Sequence, residues 1–208
     1  MFALPIDFGP SLQSARQYRR RMTERCPWAD ASPAMRAYHD REWGRPVRGD
    51  AALFERITLE GAQAGLSWST ILGKRAAYRA AFAGFEPERV ARFSARDERR
   101  LLADAGIVRN RAKIRSTISN ARAYLELRDE VGNVGRWLGT FEDPSALSKA
   151  LRSRGFTFVG PTIAESILQA VGVLNGHLPG CALASWTRSR RVPAAPVRGA
   201  RATRPAPR

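Results

Sequence analysis

Cys26, His39, His177 and Cys181 are all the cysteine and histidine that this sequence contains. They fall in two pairs. Cys26 and His39 are thirteen positions apart, and His177 and Cys181 are four apart, close enough to share one face of a helical turn or loop. As a Cys2His2 set they suit one tetrahedral Zn²⁺ ion per chain with no open coordination position. Such an ion joins segments near the two ends of the patterned sequence, and closing so long a loop is a structural role. The same four residues read equally well as two core thiols and two ordinary histidines. A disulfide needs an oxidising compartment, and the N-terminus lacks the apolar stretch of a secretory signal, so a reducing cytoplasm is expected.

A second group centres on Glu60. Leu53, Ile57, Glu60 and Ala64 follow the spacing of one helix face, so a helix over 50–64 places a carboxylate in an apolar seam. A buried carboxylate needs a partner or a purpose. The partner is an Arg or a helix N-terminus. The purpose, if Trp28, Tyr38, Trp43 and Trp68 converge on it instead of filling core, is a flat, electron-poor ligand such as a nucleobase.

A third feature runs from Leu101 to Lys113. It reads as helix, glycine-containing hairpin, helix, with Gly106 at the break and Arg109, Arg111 and Lys113 opening the second helix. Helix N-termini bind phosphate through their free N–H groups, and the flanking cations favour a polyanion. An αα-corner with a solvated basic face gives the same pattern.

Charge agrees with a polyanionic partner. The 208 residues carry a formal net charge of +16. More than half sits in the two ends: 1–21 hold four Arg and one Asp, and 186–208 hold seven Arg, four Pro and no acid. Three parts are expected: a basic, unpatterned extension over 1–21, a body over 22–185 that could begin at Met22, and an Arg/Pro-rich tail over 186–208 without a core. No run of eighteen apolar residues exists, which excludes a membrane-spanning helix.

The elements that must position these groups are helices, and period-2 strand patterns are scarce, so the expected class is all-α. Asp50 caps the first long helix, to about Ala64. Ser67 opens the next, through Phe82, with Gly84 closing it. Pro87 starts a short helix ending at Phe93. Ser94–Asp97 has the form of a capping box before a helix to Ala105. Further helices are expected over 109–128, 144–154 and 162–176.

The ordered strings ERCPW (24–28), AYHDREWG (37–44), LFERITLEGAQAGLSW (53–68), ILGKRAAYRAAF (71–82), AGIVRNRAKI (105–114), NARAYL (120–125), LSKALRSRGFTFVG (147–160) and HLPGC (177–181) resemble the DNA-3-methyladenine glycosylase I family of the helix-hairpin-helix superfamily. The resemblance spans about 22–181. It implies a base-excision enzyme that flips 3-methyladenine out of alkylated duplex DNA and hydrolyses its glycosidic bond, acting in the bacterial cytoplasm as a monomer. It places Cys26, His39, His177 and Cys181 on the family's zinc positions and Glu60 on the carboxylate that meets the adenine edge. Trp68 falls on the stacking aromatic, Tyr38, Trp28 and Trp43 on the pocket wall, and Leu66 on a wedge into the duplex. Three departures stand out: Met35 where an aromatic is usual, a shortened 137–145 segment, and Ala164-Glu165-Ser166-Ile167 in place of a more aromatic run. The alternative is an inactive lesion-binding or DNA-architectural protein on the same fold. A zinc-dependent hydrolase fits less well, because all four zinc positions are taken by protein.

Overall fold

The computed structural model describes residues 25–185, and both basic ends, together with Met22, lie outside them. Every regular element among the described residues is helical. A 3₁₀ turn at Pro27–Ala31 leads into α1 (Pro33–Arg41), followed by α2 (Asp50–Gln63), α3 (Trp68–Ala81), α4 (Pro87–Val90), α5 (Ala95–Ala103), α6 (Arg111–Val131), α7 (Val134–Leu138), α8 (Pro144–Arg152) and α9 (Pro161–Ala170).

Local signals account for most helix starts. Pro occupies the first turn of α1, α4, α8 and α9, where its missing N–H is an orphan anyway. Ser67 accepts from the Thr70 amide, Asn110 from that of Lys113, and Asp143 from those of Ser145 and Ala146. The expected capping box forms between Ser94 and Asp97. Each such cap contributes about 1 kcal/mol.

Several expected boundaries shift. The helix from Pro87 ends at Val90 and not at Phe93, and α6 runs from Arg111 to Val131 with Asn110 as its cap, so Arg109 precedes the helix instead of opening it. Two further shifts have a clear cause. Asp50 is the first helical residue of α2, and Gly49 is its cap. The Asp50 carboxylate accepts instead from the Tyr124 hydroxyl at 2.9 Å and pairs with Arg128, so tertiary packing claims it. The last helix stops at Ala170, six residues short of the expected end, before Gly172 takes a positive φ. Helices α1 and α7 are additions to the expected set, because nine and five residues carry too few turns to show a periodicity.

Helix α2 is the axis of the body. It packs against α3, α4, α6 and α9. Every residue from Leu53 to Ala62 is buried. The expected single apolar seam is thus a helix enclosed on all sides, and its polar residues are enclosed too. Glu55 and Arg56 answer this through a relay of ion pairs. Arg56 pairs with Glu42 at 3.0 Å, Glu42 with Arg75 at 2.7 Å, Arg75 with Glu55, and Glu55 with Arg79 at 2.8 Å. Phe54, Phe82, Phe85 and Tyr124 fill the core beside it.

The hairpin between α5 and α6 lies against α3. A Cβ on Gly106 would stand 2.8 Å from that of Ala77 and 2.9 Å from Asp104 Oδ1, so no larger residue fits this approach. Gly176 meets the same constraint against the Trp43 ring, at 2.8 Å.

Candidate active site

Four elements bring the aromatic residues together. Trp28 comes from the 3₁₀ turn, Tyr38 from α1, Trp43 from just beyond it, and Trp68 from the start of α3. The Tyr38 and Trp68 rings lie 5.0 Å apart at 44°, and Trp28 meets Trp43 edge-on at 5.0 Å. They wall a cavity of about 410 Å³ that Glu60 also lines, a volume within the range of small-ligand sites. The expected set Glu60, Trp68, Tyr38, Trp28 and Trp43 is therefore one site. Met35 lines it as well, presenting a thioether.

Glu60 is 3% exposed. Burial pushes its carboxyl up to about 7, opposed only by the positive charge of Arg56 one turn earlier. The Arg56 guanidinium sits 5.1 Å from the Tyr38 ring centroid, a cation–π distance. The Tyr38 hydroxyl and the Trp68 indole N–H are buried with no hydrogen-bond partner. Burial holds the Tyr38 hydroxyl above the ordinary phenol range, so it stays protonated. A carboxyl poised near neutrality, two unspent donors and stacking faces together suit a flat heteroaromatic carrying positive charge and polar edges.

Polar residues at the mouth leave little trace in the sequence. Gln63 ends α2, Ser67 caps α3, Ser69 lies in its first turn, and Ser166 and Gln169 come from α9. Gln63 stands three residues after Glu60, a helical neighbour, and that spacing is its only signal. The α9 pair belongs to a distant segment and has none. Of the segment Ala164-Glu165-Ser166-Ile167, Ser166 lines the pocket.

Behind the aromatic wall lies the second cluster. The ligating atoms of Cys26, His39, His177 and Cys181 all fall within 4.8 Å of one another, and all four residues are buried. Cys181 Sγ is 3.4 Å from His39 Nε2 and 3.5 Å from His177 Nδ1, and Cys26 Sγ is 3.7 Å from His177 Nδ1. The Leu178 and Leu183 amides donate to the two sulfurs. His39 Nδ1 lies 2.9 Å from Asp40, which pairs with Arg25 at 2.8 Å, so the ring is oriented with Nε2 facing the cluster. Burial pushes the Cys26 thiol up and His177 down to about 4. A thiolate in this place calls for a cation, and the cluster is able to hold a metal ion. Trp43 stacks edge-on against His177 at 4.6 Å, so the metal-type cluster and the pocket share a wall.

The residues expected to face DNA differ in what holds them. Leu66 is 40% exposed at the tip of the α2–α3 connection. Arg109 is exposed, and Arg111 is exposed with Glu98 3.5 Å away. Lys113 differs: its ammonium is bound to the backbone carbonyls of Ala62 and Ala64, at 2.9 and 2.6 Å.

The helical body has counterparts among known proteins. A methyladenine glycosylase family model matches residues 28–146 and 140–184. DNA-3-methyladenine glycosylase 1 of Escherichia coli (strain K12) is 46% identical over 178 residues, covering 76% of this chain and 95% of the relative. DNA-3-methyladenine glycosylase of Haemophilus influenzae is 38% identical over 180 residues, covering 77% and 97%. A solved structure of 3-methyladenine DNA glycosylase I from Staphylococcus aureus, which addresses 3-methyladenine recognition, superposes with a TM-score of 0.73 at 34% identity, covering 77% and 96%. The chain belongs to the methyladenine glycosylase family.

Proposed function

We propose that this protein is a base-excision repair glycosylase that hydrolyses the N-glycosidic bond of 3-methyladenine in alkylated DNA. The observation that carries the proposal is Glu60, a buried carboxyl without a hydrogen-bonding partner among the described residues, on the floor of a pocket walled by Tyr38 and Trp68.

The lesion accounts for the modest apparatus. Methylation at N3 leaves the purine cationic and its bond to C1′ weak. Water adds to C1′, the C1′–N9 bond breaks with its electron pair going to the purine, and the water proton passes to solvent. The purine leaves neutral. What remains for the protein is to extract the base and favour its cationic form. Flipping costs a few kcal/mol, less for a damaged base. Stacking on Trp68 and Tyr38 returns ~1–3 kcal/mol per base, as in single-strand binders. Glu60 accepts from the exocyclic amine and, ionised, attracts the cationic base over neutral adenine. Its role is recognition and electrostatic stabilisation, without proton abstraction from water.

On the DNA side, Leu66 fills the space left in the duplex. The hairpin at Gly106, with the N-terminus of α6 and Arg109 and Arg111, follows the phosphate backbone. The partner is double-stranded DNA, and the chain acts as a monomer in the cytoplasm. Among the described residues no helix is long and apolar enough to cross a membrane.

The metal is zinc, one ion per chain. A tetrahedron with Zn–S of ~2.3 Å and Zn–N of ~2.0–2.1 Å sets sulfur and nitrogen about 3.6 Å apart. The three sulfur–nitrogen distances of 3.4, 3.5 and 3.7 Å fit that edge. Four protein ligands leave no place for water, so zinc ties the 26–39 segment to 177–181 and takes no part in the chemistry.

Purified protein incubated with methylated duplex DNA releases free 3-methyladenine, separated chromatographically. Tight binding without release would instead establish the inactive lesion-binding protein. Leu66→Ala slows single-turnover excision from duplex by about ten- to a hundredfold, because the flipped state loses its filler. Affinity for free 3-methyladenine stays as in the parent, and equal loss of both would remove Leu66 from the wedge role.

A further inference from the structure

The chain holds 35 basic residues and only three are lysine: Lys74, Lys113 and Lys149. Two of the three bridge the α2–α3 segment and the α5–α6 segment. Lys113, in the first turn of α6, sends its ammonium to the carbonyls of Ala62 and Ala64 at the C-terminal end of α2. Lys74, on α3, sends its own to the hairpin carbonyls of Ala105 and Gly106, at 2.9 and 3.4 Å. Each lysine thus reaches from one element into the turn beside the other.

The two turns carry the groups assigned to DNA. The four-residue connection from Ala64 to Ser67 presents Leu66 at its tip. Three more of its polar groups are committed: the Ala64 amide to Gly61, the Leu66 amide to Gln63 at 2.6 Å, and the Ser67 hydroxyl to Thr70. The hairpin is seated by the Val108 amide on the Tyr78 hydroxyl at 3.3 Å and by the close approach of Gly106 to Ala77. Both lysines bind a pair of convergent carbonyls. A compact ammonium with three donors satisfies such a pair, whereas a planar guanidinium spreads its donors in a fixed fork. The negative end of the α2 dipole adds to the attraction at Lys113.

We propose that Lys74 and Lys113 are positioning residues that lock the Leu66 connection and the phosphate-gripping hairpin into one rigid unit. Seating the hairpin on the backbone then fixes where Leu66 enters the duplex. This rests on the glycosylase reading and on Leu66 as the wedge. It also reassigns Lys113 from phosphate contact to the brace, since its ammonium is held by two carbonyls.

The test uses Lys113→Arg, Lys113→Gln and Lys74→Gln in the full chain, read by four measurements: melting, affinity for free 3-methyladenine, salt dependence of duplex binding, and single-turnover excision. Charge-assisted hydrogen bonds of this kind predict duplex excision slower by about ten- to a hundredfold in each variant, Lys113→Arg included. Free-base affinity stays at the parental value. Excision from a substrate with an abasic site opposite the lesion, where extraction is easier, recovers most of the loss. The slope of log affinity against log salt is unchanged for Lys113→Gln. A slope lowered by about 0.9, with parental excision at saturating protein and full rescue by Arg, would show a phosphate contact and overturn the brace. If Lys113→Gln does not fold, Lys74→Gln and Lys113→Arg decide by the same readouts, and parental duplex excision in both overturns it. Failure of the parent to excise points to the glycosylase reading, and an inert Leu66→Ala to the wedge. Parental excision in the lysine variants beside a slowed Leu66→Ala points to the brace alone.

Discussion

Glu60→Gln slows excision of 3-methyladenine by about ten- to a hundredfold and makes the folded protein more stable above neutral pH. The first effect follows from charge. Gln keeps the shape and an acceptor for the exocyclic amine but loses the attraction for a cationic purine, a charge-assisted bond of ~1.5–3 kcal/mol. Glu60→Ala loses more, because the amine is then unpaired. The second effect follows from burial. The carboxyl titrates near 4.5 in the unfolded chain and at about 7 in the folded protein. The folded state holds this proton more tightly, so the stability it contributes is complete below pH 4.5 and is lost as pH rises through about 7. Over that window the loss is about 3 kcal/mol. Gln removes it, raising the melting temperature at pH 8 by roughly 6–10 °C with little change at pH 5. In kcat/KM the parent rises with pH through about 7 as Glu60 ionises, and the Gln variant lacks that limb. Melting curves at the two pH values and single-turnover rates on the same preparation check both halves. A less stable Gln variant with parental excision per folded molecule would mean that Glu60 is only a packed core residue.

Cys181→Ser costs the protein its metal and much of its stability before it touches pocket chemistry. Elemental analysis of the parent gives about one zinc per chain, and the variant gives well under one. Cys181 has sulfur–nitrogen approaches to both histidines of the cluster, so its loss opens the site on two edges. Because ligand binding to a folded site is folding free energy, the expected destabilisation is at least ~3 kcal/mol, or a fall of roughly 6–12 °C in melting temperature. Trp43 leans on His177, so pocket fluorescence is expected to change when the metal is lost. Below the new melting point, excision per folded molecule falls by less than in Glu60→Gln. Zinc-free parent protein of full stability and activity would make the four residues ordinary core.

Much of the site was legible in the residues themselves. Two Cys and two His as the chain's whole set of soft ligands, and a Glu in register with Leu53 and Ile57, are statements about type and spacing, and spacing along a helix translates directly into direction. The caps at Ser67 and Ser94 are equally local, because a side-chain oxygen and an amide two or three residues on need no other part of the fold. Composition and pattern alone determined an all-helical, basic body with a carboxylate in apolar surroundings. The ordered strings tied that pattern to a family of known activity.

What the tertiary structure decided is everything that depends on a contact between distant segments. Asp50 reads as a cap, and Tyr124 and Arg128 turn it into an anchor. Helix α2 reads as amphipathic, and its enclosure makes Glu55 and Arg56 interior charges that only Glu42, Arg75 and Arg79 can answer. Ser166 and Gln169 reach the pocket mouth from more than a hundred residues beyond Glu60. Lys113 has the composition and position of a phosphate ligand, yet two carbonyls at the end of α2 hold its charge. In each case the sequence determined what a side chain is able to bind, and the packing determined which of its possible partners lies within about 3 Å, because a hydrogen bond forms only near that distance and the attraction between charges weakens as they separate.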